Sequence, residues 1–223
     1  MLTIVTTFFK GGSASIPASS RIFTPEWADK LYRGCRRHFQ GELRFVVATD
    51  EPRSSFKEDV EVMGFLNFRH DWWAIMEGLR LIGDPVMQMG LDTIITGPLE
   101  DFEEVDAELA MIRDPFNTKK LANGVVMWRG NRGAELYDQF VADPDRKSRD
   151  FRLGGRNSEM IWLAKKGNPD AILEDLFPNR ILSYKAHVRP NDDDIGDAAI
   201  VYFHGDPKPH QIMDVPFVRE YWR

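Results

Sequence analysis

The sequence predicts an α/β domain built on a mostly parallel sheet. β-rich and helix-patterned segments alternate along the chain, as in β–α–β units. Several of the β-rich runs are almost wholly apolar, as expected of strands covered on both faces. At 223 residues, with 43% hydrophobic and 12% aromatic content and no internal repeat, one domain spanning 1–223 is expected.

The elements follow in order. "LTIVTTFF" is a short β-rich run closed by the breaker Lys10-Gly11-Gly12-Ser13. "TPEWADKLYRGCRRHF" offers Thr24 as N-cap and Pro25 at the first helical position. Its apolar residues, Trp27, Ala28, Leu31, Tyr32, Cys35 and Phe39, recur at helical spacing. "LRFVVATDEP" reads as a buried parallel strand, and "DWWAIMEGLRLI" as a helix capped by Asp71, its Trp72 and Trp73 directed to the core. "VMQMGLDTIITGPLEDF" then reads as a strand entering a Gly-Pro turn and an acidic loop, with one carboxylate, Asp92, in its middle. "ELAMIRD" and "NGVVMWRG" are strands, "GAELYDQFV" and "SEMIWLAKKG" helices, and "ILSY" and "AAIVYFHG" the closing strands. The polar run "RPNDDDIGD" is a solvated loop.

Charge and cysteine content narrow the function classes. The 29 basic and 35 acidic residues leave a net charge of −6, which disfavours nucleic acid or an anionic membrane as main partner. A small anionic ligand in a local basic pocket remains open. Cys35 is the sole cysteine, so no internal disulfide forms. The N-terminus lacks the charged and apolar regions of a secretory signal, and no apolar run approaches the roughly 20 residues that span a bilayer. The expected location is cytoplasmic.

In open α/β sheets, ligands bind beyond the carboxyl ends of the strands. That places attention on Thr6, Thr7, Asp50, Asp92, Asn123, Gly124 and the segment "YFHGDPKPH". Short acidic side chains at strand ends also commonly accept backbone hydrogen bonds, so Asp92 has a purely structural reading as well. For Thr6 and Thr7, contact with a base or ribose stands beside simple β-propensity.

"LDTIITGPLEDF", preceded by the Trp-Trp segment and followed by "NGVVMWRG", "SEMIWLAKKG" and "VYFHGDPKPH", resembles GT-A fold glycosyltransferases. The likeness is to the bacterial and phage family 8-like group, with its "DLDTVIVGDLDDL" and "FHGKPKPH" signatures. It covers nearly the whole chain in order and implies a sugar transferase using a nucleotide-diphosphate sugar and an unknown acceptor. It also implies Mn²⁺ or Mg²⁺ as cofactor, acting as a Lewis acid on the departing diphosphate.

Carried over residue by residue, the resemblance makes Asp92 a metal ligand and catalytic group and Glu159 a catalytic candidate; Tyr202 falls where the family has its metal-binding histidine, and His204, two residues later, is the second metal-ligand candidate. Glu159 is equally readable as a first-turn glutamate favoured by the helix dipole. Thr6, Thr7, Asn123, Gly205 and Lys208 become substrate-binding candidates, with Lys208 on the diphosphate and Asn123 and Gly124 resembling the family's acceptor-side segment; Lys185 and His187 are readable either as phosphate contacts or as solvated side chains. Two positions depart from the pattern. Gly90 stands where the family has its first carboxylate, and Ile75 stands where relatives place a basic residue. A non-catalytic nucleotide- or sugar-binding relative therefore stays open, as does a nucleotidyltransferase, although "KGGSASIP" suits the latter's glycine-rich loop poorly.

Overall fold

The protein is described from a computed structural model, which covers residues 1–9, 22–67, 72–150, 152–153, 156–157 and 159–223. The glycine-rich breaker at 10–13 and the Asp71 cap lie outside the described residues.

The N-terminal half runs β1 (Leu2–Phe8), α1 (Pro25–His38), β2 (Leu43–Thr49), β3 (Glu61–Met63), a 3₁₀ helix (Trp72–Arg80), β4 (Gly83–Met89) and β5 (Thr93–Ile95). The remainder runs β6 (Leu109–Asp114), β7 (Asn117–Gly130), α2 (Arg132–Val141), α3 (Pro144–Asp150), β8 (Arg152–Leu153), β9 (Arg156–Asn157) and α4 (Glu159–Gly167). It closes with β10 (Ala171–Ile172), α5 (Leu173–Leu176), β11 (Ile181–Ser183), β12 (Ile200–Tyr202) and α6 (Pro216–Tyr221).

Seven strands form the central sheet in the order β10-β6-β7-β4-β1-β2-β3. β7 alone runs against its neighbours, being antiparallel to both β4 and β6. The expected mostly parallel α/β sheet is what the chain forms. β1 lies between β2 and β4, parallel to each, so strand order reverses there and a crevice opens at the carboxyl ends of β1 and β4.

Each face of the sheet is covered. On one side Ile4, Val47 and Met87 pack with Trp27, Leu31 and Cys35 of α1 and with Phe217 of α6. On the other, Val5, Val46 and Val126 pack with Trp73, Phe140 of α2 and Trp162 of α4. The Trp73 and Phe140 rings stack with centroids 5.1 Å apart, which makes Trp73 a core residue, as expected. Residues Trp72–Arg80 wind as a 3₁₀ rather than an α-helix. Thr24 holds the N-cap position of α1 without a side-chain cap bond, so Pro25, with its preset φ, is the signal that starts this helix.

Two differences from the sequence reading shape the site. The predicted strand through residue 92 is broken: Gly90–Thr93 is a turn, closed by Thr93 N–H donating to Gly90 O at 3.2 Å. Past this turn the chain joins a second sheet, order β11-β12-β5, with β5 antiparallel to β12. Asp92 is thus a turn residue, and the alternation of a strand does not govern its direction. The second difference is in β7, which begins at Asn117 rather than Asn123. Its first four residues are exposed and polar, since they form one arm of a hairpin with β6.

Candidate active site

β4 delivers Gln88 to the crevice, the turn beyond it delivers Asp92, and β1 delivers Thr7. Because β7 runs the opposite way, its beginning lies beside the end of β4, with Val125 opposite Met89. In the β6–β7 ladder Met111 pairs with Val126 but Ile112 pairs with Ala122, leaving Asn123–Val125 as a bulge. The bulge carries Asn123 and Gly124 to the crevice, the usual use of a bulge beside a site. The first residue of α4, Glu159, meets them: Asn123 Nδ2 donates to Glu159 Oε1 at 3.1 Å. From the second sheet, β12 leads into Phe203–Lys208 on the opposite wall.

These walls enclose a cleft of about 780 Å³. It is lined by Thr7, Asp92, Asn123, Glu159, His204, Gly205 and Lys208 among the sequence-predicted residues. Thr6 is not there. It is fully buried and does not line the cleft, because successive residues of a strand face opposite sides and its neighbour Thr7 takes the open one. Asp50 is exposed, beyond β2, and also falls outside. Lys185 lines the cleft, whereas His187 does not; its Nδ1 accepts the backbone N–H of Ser183 at 3.1 Å.

The cleft is lined by an ion pair. Lys208 Nζ donates to Asp92 Oδ2, and the two residues are only 3% and 9% exposed. Lys208 is fixed from its backbone: its N–H donates to Gln211 Oε1 at 2.6 Å, and Gln211 N–H donates to Lys208 O at 2.9 Å. The ammonium also lies 5.6 Å from the Phe23 ring centroid, within cation–π range.

His204 Nε2 is 2.8 Å from Ser183 Oγ, which itself accepts the N–H of Ala186. Burial, with Lys185 and Lys208 nearby, holds the imidazole below its ordinary pKa, so it is neutral at physiological pH. Gly205 has φ of +64°, and a Cβ there would come within 3.2 Å of Lys185 Nζ. The glycine therefore supplies both a left-handed turn and room for that lysine.

Sequence reasoning did not single out Gln88 or Thr93, yet both line the cleft. Gln88 Nε2 donates to Ile75 O at 3.2 Å, while its Oε1, Thr7 Oγ1 and Thr93 Oγ1 are buried with no hydrogen-bond partner among the described residues. Buried polar atoms of this kind call for a ligand or solvent partner. The available signal was Gln88 itself, a polar residue in an apolar strand.

The cleft does not fit a resident divalent cation. Asp92 Oδ2 is taken by Lys208 and His204 Nε2 by Ser183. Among the described residues, no group of three or more His, Cys, Asp or Glu is arranged to hold a metal. A Mg²⁺ or Mn²⁺ held before any nucleotide arrives would need several protein oxygens, and this donor set is short and already engaged.

A parallel sheet with one reversed strand, a crevice where strand order switches, and a second small sheet supplying the opposite wall make one architecture. This is the GT-A glycosyltransferase fold. Among solved structures the chain is similar to glycosyltransferase GlyE of Streptococcus pneumoniae TIGR4, at 16% identity and a TM-score of 0.63, over 94% of this chain and 56% of that one. The apo form of GlyE gives 15% identity and a TM-score of 0.65, over 93% and 55%. Galactosyltransferase LgtC, solved with donor and acceptor sugar analogs, gives 12% identity and a TM-score of 0.57, over 98% and 93%. The chain thus spans just over half of GlyE and nearly all of LgtC. No protein-family model and no curated protein matches the sequence. Likeness at these identities establishes the GT-A fold; chemistry has to be argued from the cleft. Among the described residues, no helix is long and apolar enough to cross a membrane.

Proposed function

We propose that this protein transfers a sugar from a nucleotide-diphosphate sugar to an acceptor hydroxyl. The observation that carries this reading is the pairing of a buried, backbone-fixed ammonium at Lys208 with the Asn123–Glu159 pair across one cleft at the switch point of a GT-A sheet. A cation suits a diphosphate, and a carboxylate beside an amide suits a sugar or its acceptor hydroxyl. The solved complex of LgtC with donor and acceptor sugar analogs supports placing both substrates in such a crevice.

The reaction joins the acceptor oxygen to the anomeric carbon while the bond from that carbon to the β-phosphate oxygen breaks. The electron pair stays with the departing diphosphate, and the acceptor proton passes to Glu159 or to the diphosphate. Lys208 meets the charge that builds on the phosphate, in a site where burial strengthens the interaction. Thr7, Gln88 and Thr93 offer their unpartnered oxygens to the nucleoside and sugar hydroxyls. No step here is routed through Mn²⁺ or Mg²⁺, which the resemblance implies and the donor set does not fit.

Incubation with a panel of nucleotide sugars tests the proposal: release of nucleoside diphosphate is expected, and its absence with every donor removes it. A second reading, a non-catalytic binder of nucleotide or sugar, is favoured by the apolar Ile75 on the cleft wall and the missing carboxylate at Gly90. Tight nucleotide binding with no release would decide for it. Pyrophosphate release from a nucleoside triphosphate and a sugar phosphate would instead identify a nucleotidyltransferase.

A further inference from the structure

We infer that the Lys208 ammonium is this protein's built-in counter-cation for a diphosphate, occupying the place at Asp92 that a divalent ion would need. The inference rests on the proposed use of a nucleotide-diphosphate donor and adds that the donor is handled without a metal.

Five observations converge on it. The Lys208–Asp92 pair is buried, so its charges are poorly screened and its geometry is not a chance surface contact. Both backbone groups of Lys208 are tied to Gln211, which sets the side chain's root before any ligand arrives. Asp92 Oδ2 is already committed, and the imidazole that lines the cleft, His204, is engaged with Ser183. Asp114, Glu159 and Asp206 line the same cleft, but among the described residues they do not assemble with Asp92 or His204 into a three-donor group. A second ammonium, Lys185, stands near Gly205 on the wall that holds Lys208, so two ammonium groups of the chain itself line the cleft there.

The energetics favour the assignment. An ammonium has three donors, and Asp92 is the only hydrogen-bond partner of Lys208 Nζ among the described residues. The others are free to meet phosphate oxygens. Asp92 then acts on Lys208 as a positioning residue, holding it in place. When the anomeric C–O bond breaks and its electrons remain on the diphosphate oxygen, Lys208 answers as a hydrogen-bond donor and keeps its proton, with no redox change and no co-reactant.

The test is calorimetric titration of the protein with UDP, GDP, ADP and CDP, in EDTA and in Mn²⁺. For the wild type, the best-bound of these is expected to show affinities within about threefold in the two buffers. Lys208→Ala is expected to lose at least tenfold in EDTA, a charged hydrogen bond being worth that much. It should recover part of the loss in Mn²⁺, because Asp92 is then released to coordinate. A wild-type affinity that falls tenfold or more in EDTA overturns the inference and leaves the proposed donor standing. Lys208→Ala binding as tightly as wild type in EDTA also overturns it. Failure of every nucleoside diphosphate to bind in either buffer overturns both proposals. The wild-type comparison needs no variant, so the outcome does not depend on Lys208→Ala folding.

Discussion

Removing one half of the Asp92–Lys208 pair leaves the other charge stranded in a closed site, and the size of the effect follows from the burial on each side. In Asp92→Ala the ammonium at Lys208, whose side chain is 4% exposed, loses its only hydrogen-bond partner among the described residues. Breaking a buried pair from one side costs about 3–5 kcal/mol, and this variant belongs at the upper end. In Lys208→Met the stranded carboxylate at Asp92 has a side chain 13% exposed, so water reaches it and the cost belongs near the lower end. The double variant strands no charge. Replacing a whole pair by apolar side chains is often close to neutral, so the double variant is expected to fall short of the summed single costs, about 8 kcal/mol from those two ends, by most of that sum. Urea denaturation of all four proteins, with equal m-values as a control on two-state behaviour, measures this directly. Additivity within about 0.5 kcal/mol would mean that the two groups do not interact in solution, and the ion pair would lose its place in the argument.

Three further outcomes are expected. A Cβ at position 90 would lie 2.8 Å from Asp92 Oδ1, so Gly90→Asp crowds two carboxylates together; its thermal midpoint should drop and be raised by Mn²⁺, and an unchanged, Mn²⁺-indifferent midpoint would refute the crowding. Glu159→Gln keeps an oxygen for Asn123 but removes the charge; kcat should fall by about 100-fold, the low end for a lost acid–base group, with nucleoside diphosphate affinity unchanged, and equal losses in both would reassign Glu159 to binding. His38, His187 and His204 are held by burial below their ordinary pKa, so the unfolded chain takes up protons more readily than the folded one. Their contribution, complete above the ordinary value of 6.5, is lost as pH falls below it towards the folded values. The urea midpoint should therefore be lower at pH 5.5 than at 7.5, and a higher one would contradict this. Glu174, held above its ordinary value by burial, acts in the opposite sense, gaining stability as pH falls through its raised value.

What could be read from the sequence was whatever depends on near neighbours along the chain. Apolar runs such as "LRFVVAT" announce strands covered on both faces, and the spacing from Trp27 to Phe39 announces the buried side of α1. Cleft residues at strand ends were legible because topology puts ligands there. Illegible features were those set by partners far away in sequence. The break after Met89 comes from a change of sheets, which an unbroken apolar run conceals. Residues 117–120 look like loop because they are polar, and only pairing with β6 makes them strand. Thr6 and Thr7 differ only in which side of β1 each faces, a choice no adjacent residue records. Lys208 and Asp92 are 116 positions apart, so their pairing exists only in the folded chain.

The bulge at Asn123–Val125 divides β7 into two parts with different obligations. From Val125 onward the strand is locked between β4 and β6 in the buried sheet, and its length is fixed by that register. Before Asn123 it pairs with β6 alone and projects, with Phe116 at its tip 66% exposed and against the His204 ring. Residues inserted or deleted in this projecting arm would be absorbed at the bulge without shifting the ladder beneath it. The hairpin is therefore an interchangeable rim: its length and tip chemistry can vary while the floor of the cleft stays untouched.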